Sequence, residues 1–375
     1  MAGIYIHIPF CKQACNYCDF HFSTSLKMKA SFVDALLKEI DLRKSVFETE
    51  TIESIYFGGG TPSLLSATEL DRIFKKLYAS FTICSDAEIT LEANPDDLNF
   101  EKIQEIKSTP VNRLSIGIQS FRDVDLKFMN RAHTSSEALG SINMCKDAGF
   151  TNLTIDLIYG TPGMNNEAWM ENLKIAFELD IPHISSYALT VEEKTALHYQ
   201  ILKNKTPDID ENQSALQFEM LMAEMKRNGY EQYEISNFCK PNSYSRHNSS
   251  YWKKDNYLGL GPSAHSFLGH KRLWNVSNNT KYIKSLQVGE LPLQEECLTT
   301  QDRYNEYIMT SLRTKWGCSI GHIETDFSTE FARYFKTEIK DYVLQGAISV
   351  ENEVYYLTDS GKLLADRIAS DLFKV

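Results

Sequence analysis

From Ile4 to about residue 240 the chain alternates strand-like and helix-like segments six times. No other feature limits its fold as strongly. Strands are predicted at Ile4–Ile8, Ser54–Phe57, Glu88–Ala93, Arg113–Ile118, Asn152–Ile158 and His183–Ala188. Each is rich in β-branched or aromatic residues and bounded by turn residues. Helical periodicity fills the gaps. Its clearest instance is Ser66–Phe81, where Ser66 and Glu69 have capping-box spacing. Leu70, Ile73, Phe74, Leu77 and Phe81 then share one face. Six strand–helix units imply right-handed crossovers and a parallel sheet. The expected fold is α/β, a partial (β/α)6 barrel.

The strand faces say where a site would form. Ile89, Leu91 and Ala93 alternate with Thr90, Glu92 and Asn94. Leu114, Ile116 and Ile118 alternate with Ser115, Gly117 and Gln119. Leu153, Ile155 and Leu157 alternate with Thr154, Asp156 and Ile158. Glu92, Gln119 and Asp156 thus fall near the C-terminal ends of three strands, on the less apolar face. In a parallel barrel that end gathers the chemistry. Singly each reads as an ordinary strand-end polar residue; three together point to a polar pocket.

A helix around Gln213–Arg227 and the segment Tyr230–Phe238 complete a core of residues 1–240. Residues 241–300, rich in Asn, Ser, Tyr and Gly, read as connecting loops on the barrel mouth. Residues 301–375 turn regular again. Helices are expected at Gln301–Leu312, Thr329–Leu344 and Asp359–Leu372, with a hairpin of Ile348–Val350 and Val354–Leu357. This order suggests a small winged-helix-like α+β C-terminal domain. Its nine Lys/Arg and twelve Asp/Glu disfavour DNA. The formal net charge of the whole chain, −11, likewise argues against a nucleic-acid binder or a polybasic membrane binder. No apolar run of about 18 residues occurs. MAGIYIHIPFC has no basic n-region and does not read as a signal peptide. A cytoplasmic protein is expected.

Eight cysteines are unusual in such a chain. A reducing compartment makes a disulfide framework unexpected. Cys84, Cys145, Cys239, Cys297 and Cys318 are scattered and read as buried small hydrophobes. Cys11, Cys15 and Cys18 are crowded, spaced C-x3-C-x2-C directly after the first strand. Three thiolates on one loop can hold three corners of a [4Fe–4S] cube. The fourth iron then stays open to an external ligand. The competing reading is zinc, which needs a fourth ligand such as His7 or His21.

C-x3-C-x2-C with an aromatic residue, Tyr17, before the last Cys resembles the signature of radical S-adenosylmethionine (SAM) enzymes. In them the open iron chelates the amino and carboxylate groups of SAM. Tyr56–Pro62, YFGGGTP, is similar to their glycine-rich turn after strand 2. Glycine lets backbone come close without a side chain. YIHIPFC, FGGGTPS, LEANPDD, IGIQSF, DLIYGTPG and GLGPSAHSF narrow the resemblance. They look like the branch of oxygen-independent coproporphyrinogen III oxidases and related haem chaperones, over nearly the whole chain. The resemblance implies cluster ligation by Cys11, Cys15 and Cys18. It implies SAM contacts from Tyr5 and Tyr17, and a methionine shelf of Gly59, Gly60 and Thr61. Glu92, Gln119, Arg131 and Asp156 would hold the carboxylate, ribose or amino groups, and Ala188 would line the adenine site. Arg131 suits a carboxylate because a guanidinium can hold it with two parallel hydrogen bonds.

Two features separate the relatives. The oxidases carry a fourth cysteine two residues after the third, where this chain has Phe20, and an N-terminal extension, where only ten residues precede Cys11. The haem chaperones carry H-N-x-x-Y-W, matched by His247-Asn248-Ser249-Ser250-Tyr251-Trp252. An imidazole can ligate haem iron, and Tyr251 and Trp252 can pack on a porphyrin. The bland reading is a packing motif with His247 hydrogen-bonded inside the fold. His265 lies in a motif shared by both relatives and discriminates nothing. The expectation is a haem-binding chaperone on a radical-SAM scaffold, with haem as cargo and His247 as its ligand. Its recipients would be apo-haemoproteins such as respiratory cytochromes. The resemblance adds a homodimer and peripheral membrane association as expectations, and no coproporphyrinogen oxidase activity. The alternative is a true oxidase, working through a 5′-deoxyadenosyl radical.

Overall fold

A computed structural model describes residues 2–374. Six strands run parallel in sequence order: β1 Ala2–Ile8, β2 Ile52–Gly59, β3 Ile83–Ala93, β4 Arg113–Gln119, β5 Leu153–Tyr159 and β6 His183–Ala188. Helices such as Lys29–Arg43, Ala67–Ser80, Ser135–Asp147 and Asn166–Glu178 form the crossovers. On β1, Ile4, Ile6 and Ile8 are fully buried, and Tyr5 between them faces the lumen. A parallel strand covered on both faces has this character. The expected capping box closes Ala67–Ser80: Glu69 N–H donates to Ser66 Oγ, and Ser66 N–H to the Glu69 carboxylate at 2.8 Å. Leu70, Ile73, Phe74 and Leu77 are its buried face. Burying side chains of this size contributes about 1.5–3 kcal/mol each.

The sheet does not close. Beyond β6 it continues with β8 Asn237–Cys239 and β7 Glu231–Glu234, both antiparallel. On the other side, the reading of residues 241–300 as loops is overturned. They form two helices, Arg246–Trp252 and Asn279–Gln287, and four strands: β9 Asn256–Leu260, β10 His265–Leu268, β11 Lys271–Asn275 and β12 Leu293–Cys297. β9 pairs parallel with β1, from Ala2↔Asn256 to Ile6↔Leu260. β10, β11 and β12 add an antiparallel meander, giving a sheet of twelve strands. The strands are short, and their glycines read as turn signals. Gly259 is instead a strand residue: a Cβ there would lie 1.9 Å from the His265 carbonyl oxygen. The outermost strand exposes Gln294, Glu295 and Glu296, and such charge protects a sheet edge from pairing with another chain.

A buried polar cluster locks this extension to the barrel. Glu39, fully buried, accepts from Gly261 N–H at 2.8 Å, Asn275 Nδ2 at 2.7 Å and Tyr282 hydroxyl at 2.6 Å. Arg43 donates to the Gly259 carbonyl at 2.8 Å.

The C-terminal unit has its own core, with Tyr304, Ile308, Phe335 and Ile368 fully buried. Helices Thr300–Leu312, Ile320–Asp326 and Thr329–Glu338 pack on a three-stranded sheet of β13 Cys318–Ser319, β14 Ile348–Glu351 and β15 Val354–Leu357. The helices expected at 329–344 and 359–372 are each broken in two, at Ile339 and at Leu363–Leu364. Arg313 joins this unit to the barrel, donating to Glu234 at 3.2 Å and to Asp366 at 2.6 Å. Of the five scattered cysteines, Cys145, Cys239 and Cys318 are buried as expected, Cys84 is half-buried and Cys297 is exposed. Among the described residues no helix is long and apolar enough to cross a membrane.

Candidate functional site

The barrel lumen opens into one large cavity, about 990 Å³. Its wall is built by strand parity. Tyr5 on β1, Tyr56 on β2, Glu92 on β3, Ser115 and Gly117 on β4, Asp156 on β5 and Ser185 and Tyr187 on β6 all face it. The register brings them level, with Tyr5 beside Tyr56, Glu92 beside Ser115 and Asp156 beside Ser185. Cys11, Cys15, Cys18, Tyr17, Gly59, Gly60, Thr61, Gln119, Arg131, Ala188 and His247 line the same cavity. Every site residue expected from the sequence thus lines one cavity, with His247 at its far end.

The cysteine loop is fastened from several directions. Asn16 N–H donates to the Met129 carbonyl at 3.1 Å, and Asn16 Nδ2 to Phe128 O at 2.8 Å. Asn130 Nδ2 donates to Ala14 O at 2.7 Å. His7 Nε2 lies 2.8 Å from the His21 carbonyl, with its Nδ1 3.1 Å from the Tyr5 hydroxyl. His21 Nε2 lies 2.7 Å from Asn279 Oδ1. His7 therefore has both ring nitrogens engaged, and His21 has its Nε2 engaged. Among the described residues, no three His, Cys, Asp or Glu side chains converge on a single ion. A [4Fe–4S] cube places each thiolate on a different iron, so three half-buried thiols spread along one cavity wall suit it. Burial pushes the Cys18 thiol up to about 12 in the absence of a cation. A cationic iron centre would reverse that shift. Phe20, in place of the oxidases' fourth cysteine, is exposed at the cavity.

Arg131 links this loop to the strand ends. It donates to Cys15 Sγ at 3.2 Å, Asn94 Oδ1 at 2.6 Å and the Gly117 carbonyl at 2.8 Å. Gln119 ends β4 with φ +67°, in the left-handed region. Its pairing with β5 is irregular there, so the strand bends as it reaches the cavity. The glycine turn is held by Glu92, which accepts the Tyr56 hydroxyl at 2.7 Å and Gly59 N–H at 3.2 Å. Gly59 has φ +102°, and a Cβ there would lie 2.4 Å from the His7 ring. The glycine is thus already required by packing against β1, before any ligand is considered. Burial pushes Glu92 up to about 7, with Asp156 adding to the rise and the Tyr56 bond opposing it. Burial likewise raises Asp156 to about 6.

His247 departs most from expectation. It sits at the opposite, N-terminal end of the strands, 1% exposed. Its Nδ1 lies 2.8 Å from the Ser54 hydroxyl and its Nε2 2.8 Å from the Tyr251 hydroxyl. Burial lowers it to about 3, so it is neutral, as a metal ligand must be. In this conformation, however, neither nitrogen is open to an iron. The rest of the motif is also engaged: Trp252 Nε1 donates to Asn248 Oδ1 at 3.1 Å, and Asn248 Nδ2 to the Tyr233 hydroxyl at 3.2 Å. His265 does not line the cavity; it stacks on Trp274.

Strand alternation puts Asn94 on the face of Glu92 without singling it out, and sequence reasoning missed Tyr56 and Arg113 as wall residues. Arg113 is buried in the lumen, bonded to Thr154 and 3.8 Å from Glu88. Arg113 shares the parity of Ser115, Gly117 and Gln119, and that alternation could have found it.

Known proteins resemble this chain in sequence and fold. Residues 5–186 match the model of the radical SAM superfamily, and residues 298–364 that of the HemN C-terminal domain. "Heme chaperone HemW" of Lactococcus lactis is 33% identical over 97% of this chain and 95% of its own length. The protein of the same name from Bacillus subtilis is 33% identical over 98% of both chains. That from Escherichia coli is 30% identical over 98% of this chain and 96% of its own. Among solved structures, coproporphyrinogen III oxidase (HemN) from Escherichia coli superposes with a TM-score of 0.86. It covers the whole chain and 90% of the oxidase, at 24% identity, which establishes a shared fold. With this site, this fold and full-length likeness of 30–33%, the chain belongs to the HemW family within the radical SAM superfamily.

Proposed function

We propose that the protein is a haem chaperone, binding haem and passing it to apo-haemoproteins such as respiratory cytochromes. The observation that carries this reading is the full-length likeness to three proteins named heme chaperones. The exposed Phe20 at the oxidases' fourth-cysteine position supports it over the oxidase reading. Cytoplasmic placement, homodimerisation and peripheral membrane association belong to the same proposal.

Membership in the superfamily implies a [4Fe–4S] cluster and SAM. Cys11, Cys15 and Cys18 would hold the cluster, which when bound supplies an open iron that chelates the SAM amino and carboxylate groups. Arg131, already fixed by Asn94 and the Gly117 carbonyl, would supply positive charge for that carboxylate. Ionised Glu92 and Asp156 supply negative charge at depth, where a ligand's cationic or hydroxyl groups replace water. Gln119 offers its amide at the bend of β4. Tyr5 and Tyr17 supply apolar wall, Gly59, Gly60 and Thr61 the methionine shelf, and Ala188 room for an adenine at the end of β6. We further propose His247 as the haem ligand, in a state where Tyr251 has released Nε2.

One comparison tests the reading. Purified protein with reconstituted cluster is titrated with haem, and separately incubated with SAM, dithionite and coproporphyrinogen III. A Soret band saturating at one haem per chain, without protoporphyrinogen, is expected. Robust turnover of coproporphyrinogen would replace the chaperone with the oxidase.

A further inference from the structure

We infer that His247 is a positioning residue for the SAM side of the cavity, bracing Tyr56 so that Tyr56 can hold Glu92 and the glycine turn. This rests on the SAM-binding reading above and adds a role to a residue so far connected only with haem.

The helix Arg246–Trp252 closes the bottom of the barrel. Its first turn is tied to β3, with Arg246 and His247 N–H both donating to the Glu88 carboxylate at 3.0 Å. From there the His247 ring projects into the lumen, and its plane is fixed on every side. Ser54 and Tyr251 hold its two nitrogens. The Tyr251 ring stands perpendicular to it, 4.9 Å between centroids at 84°. The Tyr56 ring stacks on it at 5.1 Å and 21°, and the Tyr5 ring lies at 6.5 Å and 25°. A Cβ on Gly3 would come within 3.2 Å of its Nδ1, so there is no slack on that side either.

The stacked tyrosine carries the connection upward. Tyr56 hydroxyl donates to one Glu92 oxygen at 2.7 Å, and the other accepts Gly59 N–H at 3.2 Å. Five groups therefore form one unbroken series from the floor to the shelf: Tyr251, His247, Tyr56, Glu92 and Gly59. A tyrosine has two soft torsions, and its hydroxyl position depends on where its ring lies. Stacking against a histidine that cannot rotate removes that freedom, and positional order of this kind is what a preorganised site needs. A histidine that merely filled the barrel floor would show the same burial. It would, however, have no reason to affect SAM in concert with Tyr56.

The experiment measures SAM affinity by isothermal titration on the cluster-reconstituted protein, for wild type, Tyr56→Phe, His247→Gln and the double variant. Thermal midpoints are recorded for each. Each single change is expected to weaken SAM about five- to tenfold, the scale of one ordinary hydrogen bond. The double variant is expected to be no weaker than the worse single, because both changes interrupt the same series. Losses that add, or His247→Gln with wild-type SAM affinity, would overturn the inference. So would a lowered thermal midpoint with unchanged SAM affinity in the folded chain, the mark of a purely structural histidine. If His247→Gln does not fold, His247→Phe, which keeps the stacked ring, takes its place. It is then expected to retain SAM affinity within about twofold of wild type, and a tenfold loss would count against stacking as the brace. Wild-type protein that binds no SAM would remove the underlying SAM reading, a result distinct from all of these.

Discussion

Arg131 donates to the sulfur of Cys15 at 3.2 Å while the other end of the same guanidinium holds Asn94 and the Gly117 carbonyl. One side chain therefore sets the distance between the cysteine loop and the ends of β3 and β4. Lysine carries the charge but cannot span three acceptors from one plane. Arg131→Lys is expected to retain iron at the wild-type ratio per chain and to weaken SAM binding by roughly ten- to a hundredfold. Iron analysis and titration calorimetry check this. Unaltered SAM affinity would show that the charge alone suffices.

The buried carboxyls make stability depend on pH. Glu92 titrates at about 7 and Asp156 at about 6 in the folded chain, both raised by burial. Between its ordinary value and its raised one, each group is protonated in the folded chain and ionised in the unfolded one. At these two sites the folded state then binds more protons, so their contribution to the stability of the cluster-free protein falls as pH rises through the range from about 4 to about 7, while the buried histidines His7, His133 and His247, lowered by burial, act in the opposite sense. Within that window each group costs up to about 1.4 kcal/mol per pH unit. Glu92→Gln removes one of the falling contributions, so the thermal midpoint of the variant minus that of wild type is expected to rise between about pH 5 and pH 7.5. A difference that does not change with pH would contradict it.

Tyr251 bears on haem capture directly. Its hydroxyl occupies His247 Nε2 at 2.8 Å. An iron that uses this nitrogen must first displace it, at a cost of about 1 kcal/mol. Tyr251→Phe is accordingly expected to bind haem about fivefold more tightly, with the Soret position unchanged. An affinity equal to wild type would mean that iron does not use Nε2.

Two glycines should respond in opposite directions to the same change. Gly59→Ala places a methyl 2.4 Å from the His7 ring at φ +102°, so reduced stability and loss of iron retention are expected. Gly140 lies inside the helix Ser135–Asp147 with nothing within 4 Å of its Cβ position. Gly140→Ala is expected to stabilise by about 0.5–1 kcal/mol in urea unfolding.

Much of this molecule was legible because its chemistry is written in periodicity and spacing. The alternation in Glu88–Asn94 and Leu114–Gln119 placed Glu92 and Gln119 in the cavity wall, since a parallel strand can turn only one parity inward. The cysteine spacing put three thiols on one loop. What stayed hidden depends on pairings distant in sequence. Asn256–Leu260 looked irregular because its glycine and asparagine imitate a turn, and only β1, some 250 residues earlier, completes it as a strand. The His247 motif was visible, but its partners Ser54 and Tyr56 lie on another strand, and no local pattern connects them.

The parallel pairing of β9 with β1 has a bearing on biosynthesis. The strand that leads into the cysteine loop is made first, yet one of its two neighbours is among the later strands to leave the ribosome. At about 5–20 residues per second, roughly 10–50 s separate their emergence. Through that interval β1 presents an unpaired edge, and the Glu39 bonds that anchor the returning meander do not exist. Iron–sulfur assembly on this loop is therefore expected to follow release of the nearly complete chain, so that a ribosome-stalled product ending before Asn256 carries the cysteines but no settled place to put the metal.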